Sequence, residues 1–248
     1  MEPMKSITET GHAKNVAVFE KLIAFCTDYG AAYNPSRNEL KLAELNKKRD
    51  EARVALADVK HAKAMLTQAV ADRQTIFSLL KPLATRILSA LKASGVSDKT
   101  VDSVRSLNRK IQGRRASSVK MKPAEENAEE TPKRTISVSQ QSFDNQVEHL
   151  LQIIAILEIQ PLYQPNEDDL KIDALRNYAL RLQDANQIVI KATTAQVNAL
   201  AARDAVLYSE HTGMVDIALN VKKYVQSVFG TNSSEYKRIS AFTFRNKV

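Results

Sequence analysis

From Leu42 onward, alternating steps of three and four residues land on Leu42, Leu45, Arg49, Ala52, Leu56, Val59, Lys63, Leu66, Val70, Arg73, Phe77 and Leu80. Nine of these twelve are apolar, so one apolar seam persists for more than five heptads. No strand keeps such a spacing, because its side chains alternate faces with period two. The span Ser36 to Leu80 would make a helix of roughly 68 Å at 1.5 Å per residue. The composition agrees with long helices. Only 6 glycines and 7 prolines punctuate 248 residues, and aromatics are 6% with no tryptophan. A sandwich needs a turn every 8–12 residues or so, which this chain does not supply. Apolar residues at 44% exclude a wholly disordered class.

The seam recurs. A shift of 130 residues puts Tyr33-Asn-Pro-Ser-Arg-Asn-Glu-Leu-Lys-Leu-Ala-Glu-Leu45 on Tyr163-Gln-Pro-Asn-Glu-Asp-Asp-Leu-Lys-Ile-Asp-Ala-Leu175, with five of thirteen positions identical. Ala69, Ala71 and Arg73 then fall on Ala199, Ala201 and Arg203. Further on the offset is 135, pairing Gly95 with Gly230, Val104 with Ile239 and Leu107 with Phe242. Three blocks in one order point to two copies of one helical unit. The expected architecture is all-α: two tandem elongated helical-bundle or coiled-coil-like units from an internal duplication. Residues 1–13 are a tail, 14–112 a basic first unit, 113–141 a charged flexible linker and 142–248 a near-neutral second unit.

Within each unit a first helix, about 14–31 or 142–160, is expected to stop at a Tyr-x-Pro turn formed by Tyr33 and Pro35, or Tyr163 and Pro165. Asn38-Glu39 or Asn166 to Asp169 then supplies capping oxygens for the long helix. The second seam, from Ile172 to Leu207, is wetter, with Asn186, Thr193 and Gln196 on it. Pro82 and Gly213 should break the long helices. Gly95 and Gly230 should close the next ones in left-handed caps. Ser97-Asp98 and Ser233-Ser234 should start a last short helix.

The Tyr-x-Pro turn with an alanine-rich long helix, and the stretch Gly213-Met-Val-Asp-Ile-Ala-Leu-Asn-Val-Lys-Lys-Tyr-Val-Gln-Ser-Val-Phe-Gly230, resemble a group of uncharacterised bacterial all-helical proteins. The likeness is strongest over 160–245. It implies the fold and carries no site, since the group has no established activity.

Catalytic patterns are missing from the sequence. His12, His61, His149 and His211 form no His-Glu-x-x-His arrangement, and the phosphate-loop, dinucleotide and nucleophile-elbow patterns do not occur. Glu210-His211, an adjacent acid–imidazole pair, is expected to be a solvated helix end. Cys26, the single cysteine, excludes an internal disulfide and reads as a packing residue on an apolar helix. No enzyme activity, metal or cofactor is therefore expected. The first residues carry one lysine and no apolar core, so no secretory signal is expected. The most apolar run, 150–159, is about half the ~20 residues of a membrane span. A cytoplasmic protein follows from these readings.

Arg73 and Arg203 occupy matching seam positions. Either their stems pack along the seam while the heads reach water or a backbone carbonyl, or they form a buried ion pair that fixes register or partner; Asp72 and Asp204 are adjacent but should point elsewhere. On the first alternative, Arg73→Leu leaves melting and oligomeric size almost unchanged.

The net charge of +8 is uneven. Residues 1–113 carry 19 Lys+Arg and 12 Asp+Glu, whereas 142–248 carry 11 and 12. The candidate anion contacts are Lys47, Lys48, Arg49, Arg109, Lys110, Arg114 and Arg115. Arg114-Arg-Ala-Ser117 also resembles a basophilic-kinase target, though such runs are common in linkers. The expected function is a non-enzymatic scaffold that self-associates, or binds a protein partner, through its long helices, as a filament or oligomer subunit. The alternative is a nucleic-acid or anionic-surface binder using the basic unit, although no aromatics interleave its cations. The third is a membrane-inserting, toxin-like helical subunit whose hairpin would come from 150–159.

Overall fold

The computed structural model describes residues 9–113 and 141–245. The expected linker, with Arg114, Arg115 and Ser117, and most of the expected tail lie outside the described residues. Among the described residues there are eight α-helices and no strand. They are α1 (Glu9–Asp28), α2 (Leu42–Ser78), α3 (Leu80–Ala93), α4 (Asp98–Gln112), α5 (Phe143–Glu158), α6 (Ile172–Tyr208), α7 (Met214–Phe229) and α8 (Ser234–Ser240).

The helices divide into two compact units, one drawn from Met1–Leu66 with Ala192–Val248, the other from Thr67–Lys191. This grouping differs from the expected blocks 14–112 and 142–248. Each compact unit takes its first helix, Tyr-x-Pro turn and long-helix start from one block. The end of a long helix and the two helices after it come from the other block.

In the first unit the buried large apolar residues of α1 are Val16, Phe19, Leu22, Ile23 and Cys26, spaced at three and four so that they share one stripe. They meet Met214, Val215, Ile217, Ala218, Val221 and Val225 of α7, with Leu45 of α2 and Leu207 of α6. In the second unit α5 buries Val147, Leu150, Ile153, Ile154 and Leu157 at the same internal spacing. They share a core with Leu80, Ala84, Ile87 and Leu91 of α3, and with Val101, Val104, Leu107 and Ile111 of α4. Each fully buried leucine or isoleucine contributes about 1.5–3 kcal/mol by leaving water. Truncating Leu22 or Ile153 to alanine would cost about 2–5 kcal/mol.

The turns have identifiable causes. Tyr33 and Tyr163 are buried, and their hydroxyls donate to the carbonyls of Leu40 (2.6 Å) and Leu170 (3.0 Å). Each bond ties the Tyr-x-Pro turn to a single 3-10 turn, Asn38–Leu40 or Asp168–Leu170, whose leucine plugs the core. The expected caps fail here: neither 3-10 turn has a side-chain cap, and α2 and α6 begin later than the acidic residues proposed to start them. The long helices are 37 residues each, shorter than the 45 expected for the first.

Pro82 acts four residues ahead of itself. Its ring would clash with the carbonyl of Ser78, so α2 ends at Ser78 and Pro82 falls in the first turn of α3, where no amide is needed. Gly95 has φ +76° just after α3. Gly230 also has positive φ (83°), but its ψ of 159° is extended, so it is not the left-handed cap expected. Gly213 is required for another reason. A Cβ there would lie 2.7 Å from the backbone nitrogen and oxygen of Ser209. Ser97 and Ser233 cap α4 and α8 by accepting from the amides of Thr100 and Tyr236.

The seam is less continuous in burial than in sequence. Leu45, Ala52, Val59 and Phe77 are buried, but Lys63 and Thr193 are exposed, and Leu66, Gln196 and Leu200 are half-buried. Apolar spacing shows which side chains share a face, and it does not show what covers that face.

Candidate functional site

Arg73 makes a contact that neither expectation named. It is half-buried, and its guanidinium carbon stands 4.0 Å above the centroid of the Phe143 ring at the start of α5. That ring packs edge-on against Phe77, 4.7 Å between centroids at 79°. Its Nε has no hydrogen-bond partner, which an aromatic face permits because it attracts the cation without accepting a directed bond. Phe143 lies 70 residues away in sequence, so seam analysis gave no signal for it.

Arg203 corrects the expectation about Asp204. It is 4% exposed, and its Nε and Nη2 donate to Asp204 Oδ1 at 3.0 and 2.7 Å. Adjacent residues on a helix diverge at Cβ, but an arginine stem is long enough to curl back. Arg49 does the same with Asp50, at 2.9 and 3.1 Å. Asp72 accepts instead from Gln68 Nε2 at 2.8 Å. Asn186 is buried, donates to Asp144 Oδ1 at 2.8 Å, and leaves its own Oδ1 without a partner.

The histidines separate by environment. His12 is buried, with Nδ1 2.7 Å from the Tyr208 hydroxyl. Asn15 joins them: its Nδ2 donates to the same hydroxyl (3.2 Å) and to the Arg245 carbonyl (2.8 Å), and its Oδ1 accepts from the Arg245 amide (3.0 Å). This buried polar cluster holds the segment after α8 against α1, and the sequence gave no sign of it. His149 is buried with neither ring nitrogen hydrogen-bonded. Burial, then the nearby Lys110 ammonium, hold its pKa below the ordinary histidine value, while Glu148 pulls the other way. His211 is solvent-exposed beside Glu210, 3.4 Å apart, in the turn after α6 rather than on a helix end. Cys26 is fully buried, and burial pushes its thiol up to about 12, so it is no thiolate nucleophile at neutral pH.

Among the described residues, two of the five candidate anion contacts are paired with carboxylates. Lys48 pairs with Glu51 at 2.8 Å, and Arg49 with Asp50. Lys47, Arg109 and Lys110 are exposed.

Two concave features are large enough to hold something. In the first unit a groove of about 990 Å³ runs between α2 and α6, with Val54, Ala55, Ala199, Ala202 and Val206 along it and Asp50, Glu51 and Asp58 at its edge. In the second unit a cavity of about 580 Å³ lies between α3 and the turn after α5, with Ala90, Ser89 and Ser94 on one side and Tyr163, Gln164 and Leu170 on the other. Arg86 crosses its rim to Asp169 as a two-bonded ion pair. Among the described residues no group of three or more His, Cys, Asp or Glu is placed to hold a metal ion, and no helix is long and apolar enough to cross a membrane. The run 150–159 instead places Leu150, Ile153, Ile154 and Leu157 in the core of its unit. No protein-family model, curated protein or solved structure matches the chain.

Proposed function

We propose that the chain is a non-enzymatic scaffold built from an internal duplication, which associates with itself or with a protein partner through its long helices. One observation carries the association: large apolar side chains are exposed along α2 and α6. Val54, Met65, Leu180, Ile188, Ile190 and Val197 are each more than half exposed on these two helices. Single exposed leucines are ordinary, but six large apolar side chains exposed on two long helices, Val54 among them lining an apolar groove, support a partner surface. The duplication is supported by the 37-residue length shared by α2 and α6 and by the two Tyr-to-carbonyl bonds seven residues apart. Among the described residues the anion-binding alternative draws on Lys47, Arg109 and Lys110, because Lys48 and Arg49 already face carboxylates.

Light scattering coupled to size exclusion tests self-association. The expected particle mass is a multiple of 27.6 kDa that rises with protein concentration. A variant carrying V54K, I190K and V197K should return it to the single-chain mass. A single chain for the unmodified protein at every concentration and salt level would refute self-association and leave only a foreign partner.

A further inference from the structure

Residues 241–245 follow α8 in the first unit and belong to no helix. Phe242 and Phe244 pack against the first core, and the Phe242 ring lies 5.7 Å from that of Phe25 on α1. Two side chains hold the backbone. Lys222 of α7 donates to the carbonyls of Ser240 (2.9 Å) and Phe242 (3.0 Å). Asn15 of α1 grips Arg245 twice, donating to its carbonyl (2.8 Å) and accepting from its amide (3.0 Å). Contact with Phe25 first and Asn15 later sets the segment antiparallel to α1. This is how a groove holds a peptide: main-chain hydrogen bonds fix an extended backbone, and alternate side chains enter the core. Thr243 and Arg245 are exposed. All four bonds go to backbone atoms, so they are indifferent to which chain supplies them.

We propose that this groove between α1 and α7 also takes residues 241–245 of a second copy, the two chains exchanging segments. The occupant follows from the fit: a second copy presents the same two rings on the same extended backbone. The groove needs an occupant, because Asn15 is 2% exposed and its Oδ1 loses the Arg245 amide when the segment leaves. The segment is lightly attached. Of α8 only Ile239 is buried, and Phe242 and Phe244 are half-buried, so this end opens at less cost than the core. Each copy gives one segment and takes one, so the contact is isologous and closes at two chains. A chain fills its own groove first, since a tethered segment competes at an effective concentration on the order of 1 mM. Exchange therefore shows itself most clearly where filling from the same chain is blocked.

The exchange does not use the exposed faces of α2 and α6, and complementation between whole chains tests it separately from them. N15A weakens the groove and keeps the segment, whereas a chain carrying F242S and F244S keeps the groove and spoils the segment. In light scattering coupled to size exclusion, their equimolar mixture should reach twice 27.6 kDa at a protein concentration about ten-fold lower than either variant alone, matching a tenfold gain in affinity. Any contact through the long helices is common to all three samples and cancels. K222M replaces N15A, or F244D replaces the double serine variant, where circular dichroism shows that the first choice has lost its helices. T243A added to the N15A chain should leave the pairing unchanged, because that side chain is exposed. A mixture that pairs no better than its separate components would overturn the exchange, whatever the parent does. Pairing in the mixture beside a parent that stays a single chain would support the exchange and count against the long-helix association alone.

Discussion

His149 offers the most decisive perturbation, because its cost to the fold depends on pH in a known direction. A neutral imidazole carries one donor and one acceptor, and neither has a partner in this 8%-exposed position on α5. Leaving such groups unpaired costs about 1–3 kcal/mol. Replacement by leucine, similar in bulk and free of polar atoms, should therefore stabilise the protein by about 1–2 kcal/mol at pH 8. Burial and Lys110 lower the folded-state pKa below the ordinary 6.5. The unfolded chain then binds more protons below pH 6.5, and stability falls as pH drops through that value. At pH 5.5 the deficit of the parent relative to H149L should grow by up to about 1.4 kcal/mol, the limit for a site still unprotonated when folded. Urea melts of both proteins at pH 8 and 5.5 measure this difference, in which the carboxylate titrations common to both cancel. An H149L protein less stable at pH 8, or a gap that stays constant with pH, would refute the reasoning.

Y33F and Y163F should each lose about 1–2 kcal/mol in denaturant melts, since each leaves a leucine carbonyl short of its donor. G213A should lose about 1–3 kcal/mol, because its Cβ meets fixed Ser209 backbone at 2.7 Å; an unchanged melt would show that this turn relaxes freely. R73L should lose about 0.5–2 kcal/mol with the guanidinium–ring contact, and F143L should lose a similar amount that is not additive with it.

How far the sequence revealed this fold depended on whether the cause was local. Pro82 ends α2 because a ring without an amide cannot continue it, and Ser97 and Ser233 start α4 and α8 through oxygens three residues from their targets. Spacing along α2 put Leu45, Ala52, Val59 and Phe77 on one face, and all four are buried, since periodicity is a property of one helix. The candidate site was far less legible. The Arg73–Phe143 contact, the His12–Asn15–Tyr208 cluster and the cavity beside Tyr163 join residues 70 or more positions apart. Nothing in the local pattern carries that information. Arg203–Asp204 shows a different failure. A rule about Cβ directions was applied to a side chain whose charge lies several bonds further out.

The grouping of the helices bears on the proposed duplication and on how its two copies would come to differ. If each half had folded on its own, α3 and α4 would cover α1 and the start of α2. Instead the first core combines α1 with α7, and the second combines α3 and α4 with α5. Every core therefore contains one partner from each half, and neither half contains a complete core. A substitution in one half is felt against residues of the other, so the halves are not free to keep identical surfaces. Tyr224, Phe229 and Phe242 pack against Tyr33, Tyr29 and Phe25, while Tyr163 is buried beside Ala90 on α3. A chain whose halves had folded separately would have needed both Tyr-x-Pro turns covered by their own following helices.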